Sequence, residues 1–313
     1  MSSRIAVLVP CRNEEAAVAE VVRAFRAVLP DSTIYVYDNN STDRTAELAA
    51  TAGAVVRREP MPGKGNVVRR MFADIDADIY LMVDGDGTYD AAVAAAMVRR
   101  LEEDNLDMVV GTRTPVGPDD AFRPGHRMGN LTLTRFVGWL FGPRFTDIFS
   151  GYRAFSRRFV KSFPALATGF EVETELTVHA LELRMPVAEV PVSYSARREG
   201  SQSKLSTWRD GLRILSAILF LFKEVRPFKF FSAVAAVLAL VAVVLSWPLF
   251  VTFFETGLVP RVPTAVLVTG IMVMAFFSLA CGIVLDTVSR GRRESKRMRY
   301  LAFPPVRNGT DPH

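Results

Sequence analysis

Two carboxylates follow a short apolar run in the segment Val83-Asp84-Gly85-Asp86-Gly87. If the run forms a strand, both carboxylates lie at its carboxyl end, where they can converge on one hard cation. The glycines let the backbone turn tightly there. Mg²⁺ and Mn²⁺ prefer oxygen ligands and usually keep waters and substrate phosphates. The pattern therefore predicts that Asp84 and Asp86 hold Mg²⁺ or Mn²⁺ together with a diphosphate.

Two more polar segments follow predicted strands. One is Pro10-Cys11-Arg12-Asn13-Glu14, and the other covers residues 38–43, with the sequence DNNSTD. Each segment alone fits a helix cap as well as a ligand contact, since Asn, Ser and Asp accept hydrogen bonds from N–H groups at helix starts. Three polar loops at three strand ends of one parallel sheet favour a ligand site.

The elements that must position these loops alternate along residues 1–112. The predicted strands are Ile5–Val9, Thr33–Asp38, Ala54–Arg57, Ile79–Val83 and Met108–Gly111, and helical patterns fall near 14–29, 43–52, 65–74 and 90–102. This alternation predicts a doubly wound α/β domain with a mostly parallel sheet. Ligands bind beyond the carboxyl ends of such strands.

Composition narrows the class of protein. The chain has 313 residues, of which 50% are hydrophobic and 23% are charged, so it is not a disordered chain. Cys11 and Cys281 are its two cysteines, which excludes a disulfide framework and argues against a structural zinc site. The first residues lack the pattern of a signal peptide, and we expect the amino-terminal part to stay in the cytoplasm.

Two segments, 231–254 and 263–285, contain no charged residue over 24 and 23 positions. Each is long enough to cross a bilayer as a helix. Basic residues flank the pair on its outer sides: Lys223, Arg226 and Lys229 before it, and Arg290, Arg292, Arg293, Lys296, Arg297 and Arg299 after it. The positive-inside rule predicts an inner-membrane protein with two spans and with both termini and the catalytic domain in the cytoplasm. The basic cluster after the second span is expected to rest on anionic headgroups.

Two shorter apolar segments, Leu131–Phe141 and Ile214–Phe222, fit either interfacial amphipathic helices or core helices. The second is the better interfacial candidate because the spans follow it directly. The predicted organisation is a cytoplasmic catalytic domain (1–205), an interfacial amphipathic helix (206–227), a transmembrane hairpin (228–289) and a basic cytoplasmic tail (290–313).

Together with Gly63-Lys64-Gly65, these motifs resemble family 2 glycosyltransferases of the Rossmann-like GT-A fold. The later segments 110–113 (VGTR), 127–130 (RMGN), 147–153 (DIFSGYR) and 197–204 (RREGSQSK), followed by two spans, resemble the polyprenyl-phosphate glycosyltransferases. Dolichol-phosphate mannose synthases and bacterial polyprenyl-phosphate glucosyltransferases belong to that group. The resemblance covers residues 4–290.

The resemblance implies a role for each matching residue. Donor nucleotide binding falls to Pro10, Cys11, Glu14, Asp38, Lys64 and Asp84, and metal binding to Asp84 and Asp86. Acceptor phosphate binding falls to Arg113, Arg127, Ser150 and Arg197. The catalytic residues are Asp86, Asp147, Arg113 and Lys204; Asp147 matches the acidic residue often proposed as base, and Arg197 and Lys204 match a loop that closes over the phosphates.

The chain departs from the usual pattern at two positions. Arg12 stands where a tyrosine is commoner, and Asp38-Asn39 stands where two aspartates are commoner. Both differences leave the identity of the nucleotide open.

The implied reaction is inverting transfer of a hexose from a nucleotide sugar of the UDP-glucose or GDP-mannose class to polyprenyl phosphate. The acceptor phosphate, with a second pKa of about 6, is largely ionised at neutral pH. We therefore expect catalysis to depend on positioning and charge stabilisation rather than on a strong base.

Several alternatives stay open or are excluded. A silent membrane scaffold, a family 2 enzyme with a different acceptor, and a homo-oligomer stay open. A processive polysaccharide synthase is disfavoured because Gln202, the only glutamine, is not followed by Arg-Trp. A dinucleotide-dependent oxidoreductase would need Gly-x-Gly-x-x-Gly after the first strand. No nucleic-acid partner is expected, because the basic cluster is juxtamembrane.

Overall fold

The computed structural model describes residues 3–115, 134–139, 145–169, 171–195 and 207–306. The chain divides into two compact units. One comprises Met1–Ile218 and Lys296–His313, and the other comprises Leu219–Ser295.

In the described part of the first unit, seven strands form one sheet in the order β3-β2-β1-β4-β6-β5-β7. They are β1 (Ile5–Cys11), β2 (Thr33–Asp38), β3 (Val55–Arg58), β4 (Ile79–Met82), β5 (Met108–Pro115), β6 (Arg153–Ser156) and β7 (Val187–Tyr194). β6 is antiparallel to β4 and β5, and the other pairings are parallel. The predicted, mostly parallel α/β architecture is confirmed.

The described helices are α1 (Val18–Val28), α2 (Thr45–Thr51), α3 (Lys64–Asp74), α4 (Ala94–Glu103), α5 (134–139), α6 (Arg157–Ser162), α7 (Val172–Leu183), α8 (Thr207–Val225), α9 (Pro227–Thr256) and α10 (Val262–Leu301). A short 3₁₀ turn, Ala91–Val93, precedes α4. The four helices predicted before residue 103 are present, with ends that differ by a few residues.

The sheet is buried on both faces. Along β1, Val7 and Val9 belong to the hydrophobic cluster on one face, while Ala6 and Leu8 belong to the cluster on the other. Successive strand side chains point to opposite faces, and helices cover both faces of such sheets, so the central strands are continuous apolar runs. Because both faces of the sheet are apolar and buried, the polar side chains of a site lie in the loops at the strand ends.

Two helices, α9 and α10, are long and apolar enough to cross a membrane by length and composition. The second unit contains α9 and α10 as far as Ser295. The predicted spans 231–254 and 263–285 fall inside them. The two helices pack closely within this unit, where Ser278 Oγ donates to Phe231 O at 3.0 Å. Large apolar side chains on the outside, among them Trp247 and Phe276, are exposed to the surroundings.

The end of α10, from Lys296 on, belongs to the first unit and packs within it. Lys296 pairs with Glu182 at 2.7 Å, and the Tyr300 hydroxyl donates to Asp107 Oδ2 at 2.8 Å. Within the predicted basic tail, 290–313, Lys296 and Tyr300 have protein partners, and the contact of the basic cluster with headgroups stays a prediction. Asp107, the partner of Tyr300, is a completely buried carboxylate and therefore needs hydrogen-bond donors.

The two predicted interfacial segments are helical in their described parts, α5 and α8. Val137 of α5 is buried while Trp139 is exposed, and Ile218 of α8 is buried while Phe220 is exposed. Their place at a membrane surface and the predicted domain boundaries stay predictions.

Candidate active site

The predicted site residues lie at one edge of the sheet. The carboxyl ends of the parallel strands β1, β2, β4 and β5 meet there. Because β6 is antiparallel, its first residue, Arg153, lies at the same edge, opposite Met82 of β4 and Val110 of β5. The segment after β4 that carries Asp84 and Asp86 therefore neighbours the loop that precedes β6.

The first two polar loops are joined to each other by hydrogen bonds. Asn13 N donates to Ser41 Oγ at 2.9 Å, and Thr42 N donates to Asn13 Oδ1 at 2.8 Å. Asn13 has a φ of 52°, a left-handed conformation that asparagine tolerates better than most residues. These side chains bond the two loops to each other. The helix-cap interpretation is wrong, because Ala17 and Arg44 precede α1 and α2 and neither helix has a side-chain cap hydrogen bond. A ligand role for the loops stays a prediction.

Asn39 has a structural reason to differ from aspartate. Its amide nitrogen donates to Glu59 O and Met61 O at 2.8 and 2.7 Å, and its oxygen accepts from Gly63 N at 2.8 Å. An ionised aspartate has no N–H to donate. Asn39 therefore holds the segment that leads into Lys64. The presence of asparagine where aspartate is commoner has this structural explanation and does not by itself indicate which nucleotide binds.

The residues predicted to bind the donor nucleotide surround this junction. Cys11, Glu14 and Asp38 are buried at the ends of β1 and β2, next to half-buried Pro10. Asp38 Oδ1 accepts a hydrogen bond from Ser41 N at 3.2 Å. A Cβ atom on Gly85 would overlap Cys11 Sγ, so the end of β1 directly contacts the Asp84-Gly85-Asp86 motif.

Lys64 connects this motif to a carboxylate that the sequence does not single out. Its ammonium pairs with Asp84 and with Glu173 Oε1, the latter at 2.6 Å. Burial would lower the pKa of Lys64, but the two carboxylates outweigh it and raise that pKa. Burial raises the pKa of Glu173 against the opposing charge of Lys64. Glu173 lies on α7, and it is recognised as a residue of the candidate site only by its buried contact with Lys64.

Asp86 is buried, and its Oδ1 accepts hydrogen bonds from Thr88 N and Thr88 Oγ1 at 3.2 and 2.7 Å. Within the described ranges, no group of three or more His, Cys, Asp or Glu side chains could hold a metal by itself. Asp84 and Asp86 supply carboxylates only, a donor set that suits Mg²⁺ or Mn²⁺ completed by phosphate oxygens and water.

Arg113 and Asp147 form a bidentate ion pair. Nε of Arg113 lies 2.7 Å from Oδ2 of Asp147, and Nη2 lies 2.8 Å from Oδ1. Burial would raise the pKa of Asp147, but the hydrogen bonds and charge of Arg113 hold it below its usual range. Glu189 of β7 supports the loop by accepting from Thr146 N at 2.7 Å. Asp147 is thus ionised and engaged on both oxygens.

The loop that carries Asp147 also contacts Asp84. A Cβ atom on Gly151 would overlap the Asp84 carboxylate, and Gly151 N donates to the Tyr89 hydroxyl at 3.0 Å. Ser150 is completely buried, and its hydroxyl donates to Gly111 O at 2.5 Å. In this conformation Ser150 ties the loop to β5. Tyr89 is a further residue of the candidate site. In the sequence, only its position three residues after Asp86 indicates that it lies near the site.

Three predicted site residues, Arg127, Arg197 and Lys204, lie outside the described residues. The structure brings together the other predicted positions on β1, β2, β4, β5, α3 and the loop before β6.

Residues 6–162 match the family described as glycosyl transferase family 2. Glycosyltransferase AglJ of Haloferax volcanii is 32% identical over 305 residues, which cover 95% of this chain and 98% of AglJ. A dolichyl-phosphate hexose transferase of the same organism is 28% identical over 217 residues, covering 69% of this chain and 92% of that protein.

Among solved structures, glucosyl-3-phosphoglycerate synthase from Mycobacterium tuberculosis, in complex with Mn²⁺, UDP-glucose and phosphoglyceric acid, superposes with a TM-score of 0.60 at 23% identity. The match covers 71% of this chain and 80% of that chain. It shows a shared GT-A-like fold.

Proposed function

Because the chain belongs to glycosyl transferase family 2, we propose that it transfers a hexose from a nucleotide sugar to a polyprenyl phosphate. One observation carries the proposal: Gly151 of the loop before β6 lies against the carboxylate of Asp84. This contact joins a carboxylate and lysine cluster suited to a metal–diphosphate with an arginine-bearing cluster suited to a second phosphate.

The donor half consists of Lys64, Asp84 and Asp86. Asp84 and Asp86 would hold Mg²⁺ or Mn²⁺, which supplies charge stabilisation for the leaving diphosphate. Lys64 already faces Asp84, and its raised pKa keeps it cationic beside the phosphates. Pro10, Cys11, Glu14 and Asp38 are proposed to bind the nucleoside at the adjoining ends of β1 and β2.

The acceptor half is built around Arg113. A donor diphosphate and an acceptor phosphate repel each other by about 4 kcal/mol per charge pair at 4 Å and an effective dielectric of 20. Arg113, whose Nε and Nη2 are held by Asp147, is proposed to offset part of this repulsion through its charge. Arg127, Arg197 and Lys204 are proposed to add further positive charge, and Ser150 to support this half of the site.

In the reaction, an ionised oxygen of the acceptor phosphate forms a bond to the anomeric carbon, and the bond from that carbon to the donor diphosphate breaks. The nucleoside diphosphate leaves with the electron pair, and no proton has to be removed from the acceptor. Asp147 is therefore proposed to position Arg113 rather than to act as a base, because both of its oxygens accept from that arginine.

A lipid acceptor is supported by α9 and α10, whose apolar side chains lack protein partners over most of their surface. Water does not solvate such a surface favourably, whereas bilayer hydrocarbon does. The similarity to a dolichyl-phosphate hexose transferase supports the same acceptor class. We propose an inner-membrane location with both termini and the catalytic domain in the cytoplasm.

The test is a donor and acceptor screen on the full chain in detergent, with radiolabelled UDP- and GDP-sugars and either Mn²⁺ or Mg²⁺. A short polyprenyl phosphate and 3-phosphoglycerate serve as alternative acceptors. The expected result is a lipid-extractable labelled product that disappears with EDTA and in Asp86→Asn. Asp104→Asn, a change at an exposed carboxylate, is the matched control and keeps full turnover.

The other outcomes contradict the proposal in different ways. Label on 3-phosphoglycerate alone means a family 2 enzyme with a soluble acceptor. Nucleotide-dependent thermal stabilisation without product from any donor means a silent scaffold. A lipid product that survives in Asp86→Asn contradicts the proposed metal–diphosphate site.

A further inference from the structure

Arg153, the first residue of β6, is buried to 0% exposure. Among the described residues it forms no ion pair with a carboxylate. Its Nε donates to Ser150 O at 2.9 Å, its Nη2 to Ile148 O at 2.6 Å and its Nη1 to Thr177 Oγ1 at 2.9 Å. Glu173 and Asp147 act on its charge without forming an ion pair with it. Burial of a cation with no directly paired carboxylate is costly, so the reason for its burial must lie in the three hydrogen bonds that offset this cost.

The reason lies in the backbone of residues 147–151. This loop precedes β6 and lies outside the sheet ladder, so its inward carbonyls need other donors. Arg153 supplies two of its nitrogens to two of those carbonyls and anchors a third nitrogen on α7 through Thr177. A lysine ammonium is a point charge on a flexible stem and cannot reproduce three directed bonds from a planar group.

The same loop carries the contacts on which transfer depends. Asp147 holds Arg113, and Gly151 lies against Asp84. The loop is fastened at one side by Ser150, whose hydroxyl donates to Gly111 O. Its inner side is fastened by Arg153. Loss of that anchor would let Asp147 and Gly151 move together.

We propose that Arg153 is a positioning residue for the acceptor side: through Ile148 O and Ser150 O it sets the 147–151 loop, and through Asp147 it sets Arg113. This inference rests on the proposed transfer to a phosphate acceptor. It predicts that Arg153 acts mainly on the KM for the acceptor and on kcat, beyond any effect on stability.

Arg158 provides a matched control at the other end of β6. Its Nε and Nη2 donate to the buried carboxylate of Asp107 at 2.5 and 3.1 Å, away from the site edge. Arg153→Lys and Arg158→Lys make the same chemical change at two anchored arginines of neighbouring segments. Only the first changes the loop that carries Asp147.

A second pair of variants, at Thr177, tests the hydrogen bond that anchors Arg153 to α7 and changes the core less than Arg153→Lys does. Thr177 is completely buried, and its hydroxyl accepts from Arg153 Nη1. Thr177→Val removes the hydroxyl while keeping the shape, and Thr177→Ser keeps the hydroxyl. This pair decides the question if Arg153→Lys does not accumulate as folded protein.

The experiment uses the full chain in detergent and measures kcat, KM for a short polyprenyl phosphate, KM for the donor, and the thermal midpoint. Hydrogen exchange of the peptide covering residues 147–152 is followed by mass spectrometry in parallel. We expect Arg153→Lys to raise the acceptor KM at least 10-fold and to speed exchange in that peptide at least 10-fold. Arg158→Lys should change both less than 3-fold, and Thr177→Val should exceed Thr177→Ser in both.

The inference is overturned if Arg153→Lys and Arg158→Lys have equal kinetic effects at equal loss of thermal midpoint. Equal exchange of the 147–152 peptide in the two variants also overturns it. If the wild-type chain labels no phosphate acceptor, the proposed function fails. The exchange comparison still decides whether Arg153 holds the loop, so the two failures are distinguishable.

Discussion

Arg113 and Asp147 face each other at the end of β5 in a buried ion pair that uses both carboxylate oxygens, with N–O distances of 2.7 and 2.8 Å. A carboxylate in this state has a pKa below its usual range and is a poor proton acceptor. Its chemistry favours a positioning role, which separates it from Asp86 at the end of β4.

Asp147→Asn tests that separation. The variant keeps the shape of the side chain but loses the charge opposite Arg113, so we expect kcat to fall by about 10-fold, a loss near 1.4 kcal/mol of transition-state stabilisation. Asp86→Asn should lower kcat by at least 1,000-fold, about 4 kcal/mol. Steady-state kinetics on both variants at neutral pH provide the comparison. Abolition of turnover by Asp147→Asn, with an unchanged thermal midpoint, would support a base role instead.

Asn39→Asp tests the junction before Lys64. The substitution removes the donors to Glu59 O and Met61 O and places a charge beside those carbonyls. Each lost hydrogen bond in such a setting is worth about 1 kcal/mol, and more where a buried partner is left unsatisfied. We expect a destabilisation of about 2–3 kcal/mol and a raised KM for the donor.

The control for this prediction is Asn40→Asp, at the half-buried neighbouring residue, whose amide donates one hydrogen bond to Pro60 O. Chemical denaturation and donor KM are measured on both variants. Equal stability of Asn39→Asp and the wild-type chain would mean that the 59–63 segment does not depend on this amide.

His179 predicts how stability changes with pH. Burial, with a smaller contribution from the charge of Lys296, lowers its pKa to about 3. The unfolded chain binds a proton at this residue below its ordinary pKa of about 6.5, and the folded chain does not. The free energy of unfolding should therefore fall as the pH drops below about 6.5, by about 2 kcal/mol from this residue at pH 5.

His179→Gln removes this titration and retains a hydrogen-bonding group near Ser162, which lies 3.1 Å from the His179 ring nitrogen. Thermal midpoints of both proteins between pH 7.5 and pH 5 give the measurement. The wild-type chain should lose more stability over this interval than the variant. Parallel curves for the two would contradict a buried neutral imidazole.

Tyr300→Phe tests how the carboxyl-terminal end of α10 is held within the first unit. The hydroxyl donates to Asp107, a carboxylate with no exposure, and its loss should destabilise the protein by about 1.5–3 kcal/mol. Met298→Ala, at an exposed position of the same helix, should have little effect. A thermal midpoint of Tyr300→Phe equal to that of the control would mean that Asp107 is satisfied without this helix.

The sequence determined the parts of this protein that depend on local pattern. Alternating apolar runs and helical periods predict the first five strands, because burial on both faces requires them. Long uncharged segments predict α9 and α10, because about 20 consecutive apolar residues are needed to cross the bilayer as a helix. The sequence also predicts that Asp84 and Asp86 lie at the ligand-binding edge of the sheet, because they follow β4 and the carboxyl ends of parallel strands meet at that edge.

Tertiary structure decided the contacts between residues far apart in the chain. The antiparallel insertion of β6 between β4 and β5 brings Gly151 to Asp84 and Arg153 under the loop. The partnership of Lys64 with Glu173 and the three bonds of Asn39 likewise join distant segments. A pattern along the chain carries the period of an element, whereas a partner for a buried polar group is chosen by the packing of elements in space.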